Sequence, residues 1–330
     1  MFSFKRVFEK TFDRNCVFCL SKNNLLYFVA EVDVVTVMDF KTKRLIDTID
    51  VESLVIDLQT TKCGRFILAA CFDDTGKIVD LQTKNCVILK GHTDDVNCIA
   101  ECGDTDVLTC SDDKTIRRWN RFTGELIRTY SGHGGAVKCI LFSVEKKIII
   151  SGTTDFKILL WNSESGEKIG EMTGHTDWLR SLAFFDATKI VSVSSDQTVK
   201  VWDIATKQRI KTIAFNHTNV NSITITSDGK YIITGSWDEI IRVWSVSTGE
   251  CVKSITFFNK WITQVDITEN GKYLFVGFVN GYSIQEITPA LSHVIHESTG
   301  EVNGDPCTMK LLANGCIVNE KGEDIHANTN

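Results

Sequence analysis

Proline is nearly missing from this chain, at 2 residues in 330, and no Pro-, Gly- or Ser-rich stretch separates one part from another. With 24% charged residues spread evenly, no segment has the composition of a spacer or disordered tail, and a single domain over residues 1–330 is expected. No apolar run approaches the length of a membrane span. The N-terminal "MFSFKRVFEKTF" breaks its apolar positions with charges, so neither a span nor a signal peptide is expected. An intracellular, cytoplasmic protein is the expectation, with the nucleus left open. Net charge is −6, from 36 basic and 42 acidic residues, and no block of like charge exists to follow a phosphate backbone; nucleic acid is not an expected partner.

Other absences concern chemistry. The 12 cysteines are scattered, several within apolar runs such as "VNCIAEC" and "AVKCILF", which suits buried thiols rather than a disulfide framework. Cys16 and Cys19 form the one CxxC, without a second pair or a His pair at finger spacing. Their flanks read as a strand, where positions i and i+3 face opposite sides, so buried thiols are favoured over zinc. No phosphate-binding glycine loop, paired-carboxylate site or zinc ligand set stands out, and the loops are short. No enzyme activity, cofactor, metal or small-molecule substrate is expected.

What is present is a repeated phrase. "CSDDKTIRRWN", "GTTDFKILLWN", "SSDQTVKVWD" and "GSWDEIIRVWS" place Asp113, Asp155, Asp196 and Asp238 six residues before Trp119, Trp161, Trp202 and Trp244. Those tryptophans are 42, 41 and 42 residues apart, and self-similarity at such a period marks a repeat architecture. One unit, "KTIAFNHTNVNSITITSDGKYIITGSWDEIIRVWSV", breaks into four short Ile/Val/Thr-rich runs between turn residues, including the hairpin pair Asp228-Gly229. Four antiparallel strands of this kind make one propeller blade.

Three units open on Gly-His, "GHTDDV", "GHGGAV" and "GHTDWL", and a fourth has Asn216-His217. With the Asp and Trp landmarks, the chain resembles the WD-repeat family of β-propellers; Trp202-Asp203 is the literal WD pair. The resemblance implies an all-β fold, a single propeller of four-stranded antiparallel blades. It also implies hydrogen-bonded tetrads: His92, Thr109, Asp113 and Trp119; His133, Ser151, Asp155 and Trp161; His175, Ser192, Asp196 and Trp202; His217, Thr234, Asp238 and Trp244. A Ser or Thr, a His and an Asp invite a hydrolase reading, yet a catalytic constellation is needed once, and one recurring in every unit is architecture.

Extending the period gives seven slots, at Met38, Val79, Trp119, Trp161, Trp202, Trp244 and Glu286, the first two and the last without Trp. "SHVIHE" then reads as the outer strand of the last of these, and "PCTMKLLANGCIVNEKGEDIHANTN" offers two or three more short strands. Counted this way the ring has eight blades, the last degenerate and closed by the N-terminal strand at residues 4–12, with seven blades as the alternative.

In the resembled family, the residue before the tetrad Asp and those leading into the innermost strand reach the top face. The first column reads Phe72, Asp112, Thr154, Ser195, Trp237 and Val279, the second Asp95, Ala136, Trp178, Asn219 and Trp261. Trp is enriched at interface hot spots, and Arg180 lies two residues beyond Trp178. The expected site is therefore Trp178, Arg180, Trp237, Trp261, Asp95, Asp112 and Phe72, and the expected function a scaffold or adaptor binding a protein or peptide there. The alternative is a substrate receptor or regulatory subunit of a ubiquitin-ligase or G-protein-like complex. Against it, no F-box-like or coiled-coil helix is read, and no Arg stands three residues after a repeat Trp, where Phe122, Glu164, Ala205 and Ser247 lie.

Overall fold

The computed structural model describes residues 2–12, 16–21, 25–214, 220–257, 259–268, 270–289, 310–311 and 317–318. Its described strands form seven four-stranded antiparallel sheets and one two-stranded hairpin. Blades 1 to 6 run through residues 16–50, 55–90, 96–130, 137–172, 179–214 and 220–256, each laid down from its innermost strand outward. Blade 7 takes Ile262–Ile267, Tyr273–Phe278 and Gly281–Pro289, then adds Phe2–Thr11 as its outermost strand.

Local sequence explains the order within a blade. Second strands such as Phe66–Cys71 and Ile148–Thr153 are buried throughout and read as unbroken runs of small and apolar residues. Outermost strands such as Leu126–Tyr130 are exposed except at their last position and mix charge with Ile and Leu. The four-strand unit read from the sequence does not coincide with a blade. The described part of its first run, residues 211–214, belongs to Arg209–Ala214, the outer strand of blade 5, and the other three are the inner strands of blade 6. Each sequence unit thus ties two neighbouring blades together.

Seven hydrophobic clusters fill the seven interfaces between blades. Trp119, Trp161, Trp202 and Trp244 each pack on the preceding blade, in the 2/3, 3/4, 4/5 and 5/6 interfaces. Where Trp is missing the filling differs. Val79 serves interface 1/2, and Met38 joins Phe18, Tyr27, Phe275 and Tyr282 at the seam between blades 7 and 1. Glu286, in the last slot, stays partly exposed and pairs with Lys272 at 3.5 Å, while Phe4 and Ile287 fill interface 6/7.

The expectation of eight blades is wrong: the ring has seven. The N-terminal strand pairs along its length with Gly281–Pro289, from Phe2 opposite Pro289 to Thr11 opposite Gly281, and so occupies the outer place of the seventh blade. The seam leaves no room for another sheet. Gln264 of blade 7 donates from Nε2 to the Phe18 carbonyl at 2.8 Å and accepts from the Phe18 amide at 3.1 Å, clamping the innermost strand of blade 1. The Tyr27 and Tyr282 hydroxyls meet at 3.1 Å in the same seam.

Turn conformation gives the same count. One residue per blade lies in the left-handed region at the turn after the second strand, Val32, Asp74, Lys114, Phe156, Gln197, Glu239 and Asn280, with φ between 63 and 71°. The outer hairpins supply only six, Lys43, Lys84, Gly124, Gly166, Lys207 and Gly249, because the seventh outer strand arrives from the other end of the chain. Of the residues read as an eighth blade, only Lys310–Leu311 and Ile317–Val318 are described, paired with each other. "SHVIHE" and "DIHANTN" lie outside the described residues.

Deleting residues 1–12 removes Phe4 and Phe8 from two interfaces and opens the edge of Gly281–Pro289. The expected outcome is aggregation or a clearly lowered melting temperature in differential scanning calorimetry. A soluble monomer melting like the full chain would contradict the pairing.

Candidate functional site

The turns after the second strands and the segments leading into the innermost strands share one rim of the ring, the top face. Polar relays brace two of these turns in full. In blade 3 the Trp119 indole donates to Thr109 Oγ1 at 2.8 Å, the Thr109 hydroxyl lies 2.8 Å from His92 Nε2, and His92 Nδ1 lies 2.7 Å from Asp113 Oδ2. Blade 5 repeats this with Trp202, Ser192, His175 and Asp196 at 2.8, 2.7 and 2.6 Å. The order of donors gives a neutral imidazole protonated at Nδ1, whose N–H serves the carboxylate. Burial lowers the pKa of His92 and His175 despite those carboxylates. Burial acts to raise Asp113 and Asp196, but hydrogen bonds from the histidines and from Thr115 or Thr198 outweigh it and hold both carboxyls below their ordinary range.

Blade 4 departs from the expected tetrad. Trp161 donates to Ser151 at 3.3 Å and Ser151 meets His133 Nε2 at 3.1 Å, but His133 Nδ1 turns to the Lys114 carbonyl at 3.0 Å instead of Asp155. The reason lies in two substitutions. Lys157 stands where Thr115 and Thr198 donate to the carboxylates of the other blades, and Asp155 accepts from the Thr153 hydroxyl instead. Gly134 leaves space for that placement, since a methyl there would come within 2.5 Å of Asp155 Oδ2. In blade 6 Trp244 donates to Thr234 at 3.0 Å and Asp238 pairs with Arg242 at 2.7 Å, while His217 lies outside the described residues. Thr109, Ser151 and Ser192 are fully buried, so a hydroxyl of these relays has no route to a substrate.

The two columns read from the sequence meet on the top face. Backbone amides of the first donate to carbonyls of the second within a blade: Asp112 to Asp95 at 3.0 Å, Thr154 to Ala136, Ser195 to Trp178 and Val279 to Trp261, each at 2.9 Å. Asn219, the expected partner of Trp237, lies outside the described residues. Phe72 donates to Leu54, a column member the sequence reading missed although it stands 41 residues before Asp95.

Exposure separates the seven tryptophans into two groups. The four relay residues are buried, while Trp178, Trp237 and Trp261 are 45, 42 and 56% exposed. Trp237 and Trp261 stack across blades 6 and 7 with centroids 6.2 Å apart and planes at 28°. The Arg180 guanidinium lies 5.3 Å from the centre of the Trp178 ring and donates from Nε to Ser195 Oγ at 2.8 Å. Phe72 and Leu54 are exposed on the same rim.

Charge gathers at blades 2 and 3. Carboxylate oxygens of Asp74, Asp94 and Asp95 lie within 4.8 Å of one another. Burial, with Asp94, Asp112 and Asp74 close by, pushes the Asp95 carboxyl up. Asp112 is paired, with Lys138 and Asn97 each at 2.6 Å. Asp74, Lys138 and Asn97 were not singled out from the sequence; the last two follow the first residue of an innermost strand, at one repeat from each other. Cys16 and Cys19 face different inter-blade cores and do not converge, and burial pushes the Cys16 thiol up to about 12.

The WD40 family profile, described as WD domain, G-beta repeat, matches residues 83–120, 124–162, 166–203 and 207–245. The nuclear distribution protein nudF of Aspergillus niger is 28% identical over 191 residues, 56% of this chain and 42% of that protein. A guanine nucleotide-binding protein subunit beta-like protein of Encephalitozoon cuniculi is 30% identical over 105 residues, 30% of this chain and 31% of its own. A probable E3 ubiquitin ligase complex SCF subunit, sconB, of Arthroderma otae is 44% identical over 61 residues, 18% of this chain and 9% of its own. The chain thus spans less than half the length of each of these relatives.

His175→Ala or Asp196→Ala leaves buried polar groups unpaired, and each is expected to lower unfolding free energy by about 1–3 kcal/mol in urea titrations. Acid acts on the same network. Burial, outweighing the hydrogen bond to the Lys114 carbonyl and the nearby Asp155 carboxylate, pushes His133 down to about 4, below its ordinary 6.5, so the unfolded chain takes up that proton first. Stability is then full above pH 6.5 and declines as pH falls towards 4. The melting temperature of His133→Gln is expected to fall less steeply across that window than that of the parent.

Proposed function

We propose that this chain, whose blades carry four WD40 repeats, is a non-catalytic interaction scaffold that holds a peptide or protein on its top face. The carrying observation is that the three exposed tryptophans all stand on that rim, while the other four are consumed by the cores. An exposed indole is costly in water and is the side chain that most often anchors an interface, so three on one rim favour a partner surface over single loop covers. Arg180, seated on Trp178 and hydrogen-bonded to Ser195, is held in place before a partner arrives. Asp95, Asp112 and Phe72 extend the surface to blades 2 and 3.

A second reading, a substrate receptor or regulatory subunit of a ubiquitin-ligase or G-protein-like complex, draws on the names of the sconB and beta-like relatives. Those matches cover 18 and 30% of this chain and carry no top-face residue argument of their own. Quantitative affinity capture, comparing the parent with Trp178→Ala, Trp237→Ala and Trp261→Ala, addresses both readings. The scaffold reading expects each variant to weaken its partner by about 1–4 kcal/mol while melting within a few degrees of the parent. Partners retained by all three variants, or variants that unfold, would remove the top face from the account. Ligase or G-protein components that co-purify and are lost with the same variants would favour the second reading.

A further inference from the structure

The apolar side chains of the top face are unevenly accompanied by charge, and that unevenness selects the partner. On blades 2 and 3, the exposed Phe72 and Leu54 adjoin Asp74, Asp94 and Asp95, and none of these three carboxylates makes an ion pair among the described residues. Neighbouring acids are engaged: Asp73 pairs with Lys77 at 3.1 Å, Asp112 pairs with Lys138 at 2.6 Å, and Asp113 accepts a hydrogen bond from the neutral His92 at 2.7 Å. On blades 6 and 7, Trp237 and Trp261 present π faces, which attract cations, and the face already uses this attraction once, where Arg180 lies over Trp178. The cations beside this set are already engaged, Arg180 by Ser195 and the indole and Lys138 by Asp112 and Asn97.

We propose that the occupant of the top face is a basic peptide segment, with Lys or Arg side chains reaching the Asp74, Asp94 and Asp95 carboxylates and the exposed indoles, and with apolar side chains covering Phe72 and Leu54. The inference rests on the scaffold reading above and narrows its partner to one charge class. Burying the partly covered Asp95 beneath an apolar segment would strand a carboxylate, whereas an ammonium or guanidinium group satisfies it and its two neighbours.

The test is a selection of displayed random 12-residue peptides on the immobilised full chain, followed by fluorescence anisotropy of the enriched peptides as synthetic probes. Expected are sequences combining Lys or Arg with aromatic or aliphatic residues. These should bind at least about tenfold more weakly to D74N/D94N/D95N, and more weakly again when salt is raised from about 50 to about 300 mM. The Asn replacements keep side-chain shape, and an unchanged melting temperature shows that the ring is intact. Acidic peptides that lose binding with Arg180→Gln would overturn the basic segment and leave the top-face scaffold standing. Basic peptides indifferent to both the Asn triple and the Trp→Ala variants would overturn both, as would an empty selection. Calcium that raises the melting temperature of the parent but not of D74N/D94N/D95N, with no basic peptide enriched, would make the carboxylates a cation site and overturn the proposal.

Discussion

Closure of the ring is the constraint on which the other features depend. A blade buries its faces only against its neighbours, so an open array would leave two apolar sheet faces in water. The chain closes by sending its first strand to the last blade, where nine of its residues pair with Gly281–Pro289, and by an aromatic seam in which Tyr27, Phe275 and Tyr282 stand where four of the other interfaces hold one tryptophan each. The Gln264 amide locks the innermost strands across that seam with both of its hydrogen-bonding groups. With the ring fixed at seven blades, the short turns after the second strands are held around one rim, and whatever their tips carry becomes a single surface.

The same residue type serves both levels of this organisation. A tryptophan at the end of a third strand is large enough to fill an inter-blade gap, and its indole N–H then needs a buried acceptor, which the Thr or Ser of the second strand supplies. In blades 3 and 5 the hydroxyl in turn donates a hydrogen bond to histidine and the histidine donates one to aspartate, so one buried donor is resolved into a chain that ends at the top turn and stiffens it. Tryptophans outside this pattern have no gap to fill. Trp178 and Trp261 precede innermost strands and Trp237 sits before a turn Asp, positions at which the side chain leaves the sheet.

Much of this is legible in the sequence because it is periodic. The Asp-to-Trp spacing fixes blades 3 to 6, and the columns of the top face follow by counting; even Leu54, which was missed, lies on the period. What periodicity does not carry is which edge the first strand joins. The alternation of "FKRVFEKTF" suits any exposed sheet edge, and strand partners are set by contacts hundreds of residues apart. An eighth blade was therefore an admissible count until Phe2–Thr11 was found beside Gly281–Pro289. The altered relay of blade 4 was hidden for a different reason. His133, Ser151, Asp155 and Trp161 all match by position, and the difference lies in Lys157 and Gly134, residues outside the tetrad that decide where the Asp155 carboxylate turns.

Four tryptophans fill inter-blade gaps and three are presented on one face, where the proposed scaffold would use them for recognition. Fluorine NMR of the chain labelled with 5-fluorotryptophan, assigned by single Trp→Phe replacements, tests this division directly. With a paramagnetic cosolute, the lines of Trp178, Trp237 and Trp261 should broaden while those of Trp119, Trp161, Trp202 and Trp244 stay sharp, and a bound partner should shift and protect the first three alone. Broadening spread over both groups, or a partner that shifts only the buried four, would contradict the account.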